Sequence, residues 1–167
     1  MVGVNLSPQQ FQQPDLSEGV AQMLLEAELD PQCLVLEVTE NILMGDSQAA
    51  GATLRRLKAL GVSIAIDDFG TAHSSLARLK HLPVDTLKVD RSFVAGLGKD
   101  EYDDVLVSGI INMASGLGLN VVAEGVETSQ QLARLRMLGC SRAQGYYFSK
   151  PLAPEEVASL LKQHFCR

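Results

Sequence analysis

Asn5, Glu37, Asp67, Lys88, Glu124 and Gln144 are each too polar for a core, yet each marks the end of a short apolar, β-branched run. Asp68 follows Asp67 directly, so Glu37, Asp67, Asp68 and Glu124 gather carboxylates at such ends against one nearby cation, Lys88. Crowded carboxylates raise one another's pKa or recruit cations. Oxygen-only donors, these carboxylates and the Asn5 amide oxygen, suit a hard ion such as Mg²⁺ or Mn²⁺ rather than zinc. Adjacent aspartates would let one of them bridge two ions about 3.5–4 Å apart. Such a pair clamps a phosphoryl group and lowers the pKa of a bound water. Lys88 would orient that water or offset charge on the phosphate. Taken singly, any of these carboxylates reads more simply as a helix cap or the partner of a surface base. The six-position series does not.

The runs that carry these residues are Val2–Leu6, Leu34–Val38, Ser63–Ile66, Thr86–Val89, Asn120–Ala123 and Gln144–Phe148, and their pattern predicts strands. Between and after them, helices are expected over Leu16–Ala27, Ser47–Leu60, Ser74–His81, Tyr102–Leu117, Ser129–Leu138 and Glu155–Phe165. Leu54, Leu57 and Leu60 recur at helical spacing, and Gly61, Gly118 and Gly139 follow helices where a left-handed end favours glycine. Strand and helix in alternation mean an α/β fold, a mostly parallel sheet covered by helices. No low-complexity linker interrupts it, so residues 1–167 read as a single domain.

Alternation along the strands decides between an open sheet and a barrel. Val35 and Glu37 share one face, opposite Leu34, Leu36 and Val38. Ser63, Ala65 and Asp67 likewise oppose Ile64 and Ile66, and Thr86 and Lys88 oppose Leu87 and Val89. Bulk thus faces helices, and small or polar residues face inward. In an open sheet, strands five places apart lie about 24 Å from each other, too far for the six end residues to meet. A TIM-like (β/α) barrel gathers them at one mouth. Such barrels usually hold eight units in about 250 residues. This chain is expected to form an incomplete one of about six strand-helix units, the first two missing, because its N-terminus opens inside an apparent strand.

Composition narrows the functional classes. The 167 residues are 46% hydrophobic and only 5% aromatic, so Val, Leu, Ile and Ala must fill the interior. A formal charge of -6 argues against polymeric nucleic acid as a partner, though not against a small phosphorylated ligand held through metal ions. Cys33, Cys140 and Cys166 form no paired spacing and read as reduced cytosolic thiols. No apolar run reaches the roughly 18 residues of a membrane helix, and the N-terminus shows no signal-peptide pattern. Asp68-Phe69-Gly70 matches a protein-kinase tripeptide, but no glycine-rich loop or H-R-D stretch precedes it. The acidic Asp100, Glu101, Asp103 and Asp104 surround a helix start, where they complement its dipole.

Six stretches carry a resemblance. They are Val4-Asn5-Leu6-Ser7, Leu36-Glu37-Val38-Thr39-Glu40, Asp67-Asp68-Phe69-Gly70-Thr71, Leu87-Lys88-Val89-Asp90-Arg91-Ser92-Phe93, Ala123-Glu124-Gly125-Val126-Glu127-Thr128 and Gln144-Gly145-Tyr146. In this order they resemble the EAL-domain family, bacterial phosphodiesterases of the second messenger cyclic di-GMP, over the C-terminal three-quarters of that domain. The resemblance implies metal-dependent hydrolysis of one phosphodiester bond of the ring to give the linear dinucleotide. It implies Asn5, Glu37 and Asp67 as metal ligands, with Asp68 serving a second Mg²⁺ or Mn²⁺ ion. Lys88 would hold the attacking water, Glu124 would serve the second metal or orient water, and Gln144 would be a polar neighbour binding at the site. Glu40 would support the loop after Asp68.

Two departures stand out. The family's naming tripeptide, Glu-Ala-Leu on an earlier strand, is absent; Glu26-Ala27-Glu28-Leu29 lies on a helix and does not replace it. Ala72-His73 stands where the family usually has Gly-Tyr, in a loop used for metal binding and dimer coupling. The resemblance further implies a homodimer through the loop and helix after Asp68. It also implies a cytoplasmic bacterial domain whose full-length protein can be membrane-attached through domains outside this chain. A module that binds cyclic di-GMP or another protein without catalysis is the alternative.

Overall fold

Short β-branched runs separated by longer amphipathic segments fold, in a computed structural model of the chain, into one parallel sheet with helical connections. The structure describes residues 1–44, 47–71 and 79–165. In chain order the elements are β1 (Val2–Leu6), α1 (Pro8–Phe11), α2 (Leu16–Glu26), a 3₁₀ turn (Pro31–Cys33), β2 (Leu34–Thr39), α3 (Glu40–Met44), α4 (Ser47–Ala59) and β3 (Ser63–Phe69). They continue with β4 (Thr86–Val89), α5 (Arg91–Ala95), α6 (Glu101–Gly116), β5 (Asn120–Ala123), α7 (Ser129–Met137), β6 (Arg142–Ala143) and α8 (Pro154–Phe165).

The six strands lie side by side in sequence order, β1-β2-β3-β4-β5-β6, every neighbouring pair parallel. A doubly wound sheet reverses its strand order at a switch point. This sheet never reverses, so it winds one way, as an incomplete TIM-like barrel with β1 and β6 at its edges. Leu36, Val38, Ile64, Ile66, Leu87 and Val89, at most 2% exposed, form the helix-facing layer. Leu54 and Leu57 of α4, Val107 and Ala114 of α6, and Leu135 of α7 close over them. The opposite strand parity carries Glu37, Asp67 and Lys88. No helix among the described residues is long and apolar enough to cross a membrane.

At the N-terminal ends of the strands one residue, Asp85, ties four elements together. Asp85 receives Lys58 Nζ at 2.8 Å from the end of α4, and the Ile64 N–H of β3 at 2.8 Å. Its carbonyl accepts the Asn120 backbone N–H of β5 at 2.9 Å, just before β4 begins. Lys58 also donates to the Val62 carbonyl at 3.1 Å. Asp85→Ala removes a charged acceptor and strands a lysine and an amide together. It is expected to cost about 2 kcal/mol, read as a lower urea midpoint with an unchanged slope.

Two expectations change. Gln144–Phe148 is not a strand: β6 ends at Ala143 and the chain curls around Val126. The Val126 N–H donates to the Gln144 carbonyl at 3.0 Å, and the Tyr147 N–H to the Val126 carbonyl at 2.9 Å, which closes a turn instead of extending a ladder. Tyr146, Tyr147 and Phe148 remain exposed on it. Three short helices, α1, α3 and α5, were also not expected. Caps create two of them: Ser7 and Gln10 form a reciprocal capping box on α1, and Asp90 caps α5 by accepting the Ser92 N–H at 2.9 Å. Of the helix expected over Ser74–His81, positions 74–78 lie outside the described residues, as do Ala72-His73.

Candidate functional site

Because every strand runs the same way, the polar residues at their ends arrive at one edge of the sheet. Lys88 of β4 is the centre. Its ammonium contacts Glu37 of β2, lies 3.0 Å from Asp67 Oδ1 of β3 and 2.7 Å from Glu124 Oε1 just beyond β5. Its side chain is only 6% exposed. Gln144, directly after β6, donates from Nε2 to Glu124 Oε1 at 2.5 Å. Asn5 stands beside Glu37 in the register of β1 with β2. Five strand ends therefore meet through side-chain contacts, and Asn5 adjoins them through its pairing with Glu37.

Asp68 joins by a route that alternation does not foresee. A regular strand would turn it to the helix-facing side, opposite Asp67. The β3–β4 register instead shifts between Ile66 and Phe69, and Asp68 takes the left-handed backbone at φ 53. The result is that Asp67, Asp68 and Glu124 each offer an oxygen within 4.8 Å of the others. Behind them Glu40, 2% exposed at the start of α3, accepts the Gly70 N–H at 3.1 Å, and the Thr71 hydroxyl donates to the Asp68 carbonyl at 2.8 Å.

Asp90 is a further acid that the residue-by-residue reading assigned no role. It shares strand parity with Lys88, the signal that would have flagged it, and lies near enough to Asp68 to act on its charge. Its own carboxyl stays below the usual range despite burial, because the Ser92 hydroxyl and amide hold its charged form.

Burial and crowding set the electrostatics. Burial alone would lower the pKa of Lys88, but its pairing with the Glu124, Glu37 and Asp67 carboxylates outweighs that, so the ammonium is held above its ordinary value. Glu124 is raised by burial first and by Asp67 and Glu37 next, against the pull of Lys88. Asp68 is raised by burial, then by Asp67 and Asp90. One lysine thus does not neutralise the group. Asp67 Oδ1 is buried and, although 3.0 Å from Lys88 Nζ, receives no hydrogen bond of acceptable direction. A buried oxygen without a hydrogen bond, among oxygen-only donors, fits a hard divalent cation.

Beyond Glu124 the mouth widens into a cavity of about 430 Å³, with Arg91 and Lys150 as its cations and Glu127, Gln144 and Tyr146 on its wall. Its back wall depends on a close backbone approach. A Cβ on Gly145 would sit 2.2 Å from the Val126 carbonyl oxygen and 2.3 Å from its nitrogen, where no side chain can yield. Gly145→Ala is therefore expected to cost about 3 kcal/mol or more in urea unfolding, and to displace Gln144 from Glu124.

The family model described as EAL domain matches residues 1–151. The chain is 45% identical over 163 residues, 98% of its length, to the cyclic di-GMP phosphodiesterase NbdA of Pseudomonas aeruginosa. It is 44% identical over 156 residues, 93% of its length, to the bifunctional diguanylate cyclase/cyclic di-GMP phosphodiesterase MucR of the same organism. It spans 21% of NbdA and 23% of MucR, under a quarter of the length of each. A solved MucR phosphodiesterase in complex with c-di-GMP superposes with a TM-score of 0.89 at 44% identity, over 93% of this chain and 63% of that one. The manganese and c-di-GMP complex of Klebsiella pneumoniae BlrP1 superposes with a TM-score of 0.83 at 33% identity, over 89% of this chain and 38% of that one.

Proposed function

This chain belongs to the EAL domain family, and on that premise we propose that its mouth hydrolyses cyclic di-GMP to the linear dinucleotide with Mg²⁺ or Mn²⁺ bound. The observation that carries the reading is the Lys88-centred cluster of Glu37, Asp67 and Glu124, in which Asp67 Oδ1 is buried without a hydrogen bond. Water adds to one phosphorus, the bond to one ribose oxygen breaks, and a terminal phosphate and a free hydroxyl result. Asn5, Glu37 and Asp67 would hold one ion, and Asp68 would serve a second. Bound there, such ions lower the pKa of water and draw charge from the phosphoryl oxygens.

The chain's own residues do the positioning. Lys88, kept charged by its three carboxylates, holds the incoming water by hydrogen bond and faces the developing phosphate charge. Glu124, fixed by the Gln144 amide, accepts a proton from that water at its carboxylate; its raised pKa suits the task. Glu40 keeps the Asp67-Asp68 loop in its left-handed turn through Gly70. The cavity beyond Glu124 offers Arg91 and Lys150 to the second phosphate. We place the domain in the bacterial cytoplasm and as a homodimer through the loop and helix after Asp68, a segment largely outside the described residues. Size-exclusion chromatography with light scattering tests the dimer.

The decisive assay is anion-exchange chromatography of cyclic di-GMP after incubation with the chain and Mn²⁺ or Mg²⁺, and with EDTA. Linear dinucleotide formed only with metal is the expected result. The alternative is a module that binds cyclic di-GMP without turnover. Retention of cyclic di-GMP in equilibrium dialysis with no linear product would establish that reading instead.

A further inference from the structure

A second cavity, about 510 Å³, lies outside the carboxylate mouth between α1, residues 12–14, α3 and α4. Its volume falls within the range of small-molecule sites. The floor is apolar, with Phe11 and Ala50 each 5% exposed beside Ile42. Side-chain amides of Gln12, Gln13 and Asn41 and the Thr53 hydroxyl supply both donors and acceptors. Arg56 is the cation in the lining, and none of the described lining residues is acidic. Its Nη1 donates to the Pro14 carbonyl at 3.3 Å, a neutral acceptor, and among the described lining residues no carboxylate faces it. Glu18, which feels that charge as the smallest influence on it, is fully exposed and not part of the lining. In a chain of net charge -6, a cavity whose described lining carries an arginine and no acid favours an anion.

We propose that this cavity binds a nucleoside monophosphate, its phosphate on the Arg56 fork and its base on the Phe11–Ile42 floor against the amides. A guanidinium matches phosphate geometry bidentately. A flat base with polar edges needs an apolar floor and neutral amides, and those are what the rest of the lining supplies. The site also touches the mouth mechanically. Asn41 and Ile42 directly follow Glu40 on α3, and Glu40 holds Gly70 behind Asp68. The binding does not rest on the proposed phosphodiesterase reading.

The test uses GMP as the probe, with the whole chain in EDTA, followed by isothermal titration and by amide shifts in NMR. Saturable binding is expected, with shifts centred on α1, α3 and the start of α4. Arg56→Ala should weaken it about tenfold or more, and Thr53→Leu, which fills the cavity without touching the arginine, should do the same. Asp67→Asn should leave it intact, which separates this site from the metal mouth. Melting temperatures of the variants report whether they remain folded. No saturable GMP binding at millimolar concentration would overturn the proposal. So would binding insensitive to both cavity variants, or inorganic phosphate binding as tightly as GMP. If GMP binds as described but no cyclic di-GMP is hydrolysed, the proposed function fails while this site stands.

Discussion

Asp67→Asn is expected to lower cyclic di-GMP hydrolysis about a thousandfold or more while leaving the chain folded, a loss equivalent to about 4 kcal/mol of transition-state stabilisation. The substitution keeps the shape of the side chain and removes one charge. The buried Oδ1, which receives no hydrogen bond in the cluster, is the donor a divalent ion would take. Its partner Asp68 cannot replace it, since Asp68 is turned by its own left-handed backbone and already faces Asp90. Folding should not suffer: Lys88 retains Glu37 and Glu124, and the mutual repulsion that helps to raise Glu124 falls. Three readings are needed together, namely linear dinucleotide by chromatography, Mn²⁺ affinity by titration, and melting temperature with and without Mn²⁺. The expected pattern is lost turnover, weakened Mn²⁺ binding and an unchanged or slightly raised metal-free melting temperature. More than a tenth of the original turnover at saturating Mn²⁺ would remove Asp67 from the metal site.

The parts of this fold that were legible in the sequence are those set by local pattern. β1, β4 and β5 fall where β-branched runs predicted them, because each is a short stretch whose alternation is uninterrupted. The gathering of Glu37, Asp67, Lys88, Glu124 and Gln144 was legible for the same reason, since parallel strands deliver their ends to one edge. What was not legible depends on contacts distant in sequence. Asp68 was expected at the mouth and lies there, but the register shift against β4 that brings it round is announced by no property of Asp67-Asp68-Phe69. The turn at Gln144–Phe148 reads as a strand by composition, and its hydrogen bonds to Val126 decide otherwise. The support that Glu40 gives the loop after Asp68 was implied by the family resemblance alone, since the Gly70 N–H that donates to it lies thirty positions on. α1 and α5 are too short for periodicity and rest on their caps.

Lys88→Met carries the other large effect, and its pH dependence makes it informative. The lysine is the counter-charge for Glu37, Asp67 and Glu124, all about one-sixth exposed or less. Removing it leaves three carboxylates in partial burial with no cation among them, a loss of about 3 kcal/mol near pH 8 without metal. Methionine fills most of the lysine's volume, so the loss is electrostatic rather than a cavity. Without Lys88, Glu124 is governed by burial and by its like-charged neighbours, both of which raise its pKa above an unfolded value near 4. A carboxylic acid with a raised folded pKa binds more protons folded than unfolded. Its destabilising contribution therefore grows as pH rises from the unfolded to the folded pKa, and disappears below that window. Stability of the variant should accordingly recover as the pH is lowered from 8 toward 5. Mn²⁺ should also stabilise it more than the unaltered chain, since the ion supplies the missing charge to the same oxygens. Turnover should still fall about a hundredfold or more at saturating Mn²⁺, because charge alone does not hold the water. Urea unfolding at pH 5 and 8, with and without Mn²⁺, reads all of this. An equal deficit at both pH values with no extra metal response would show that Lys88 acts by packing, and the electrostatic account of the mouth would fall with it.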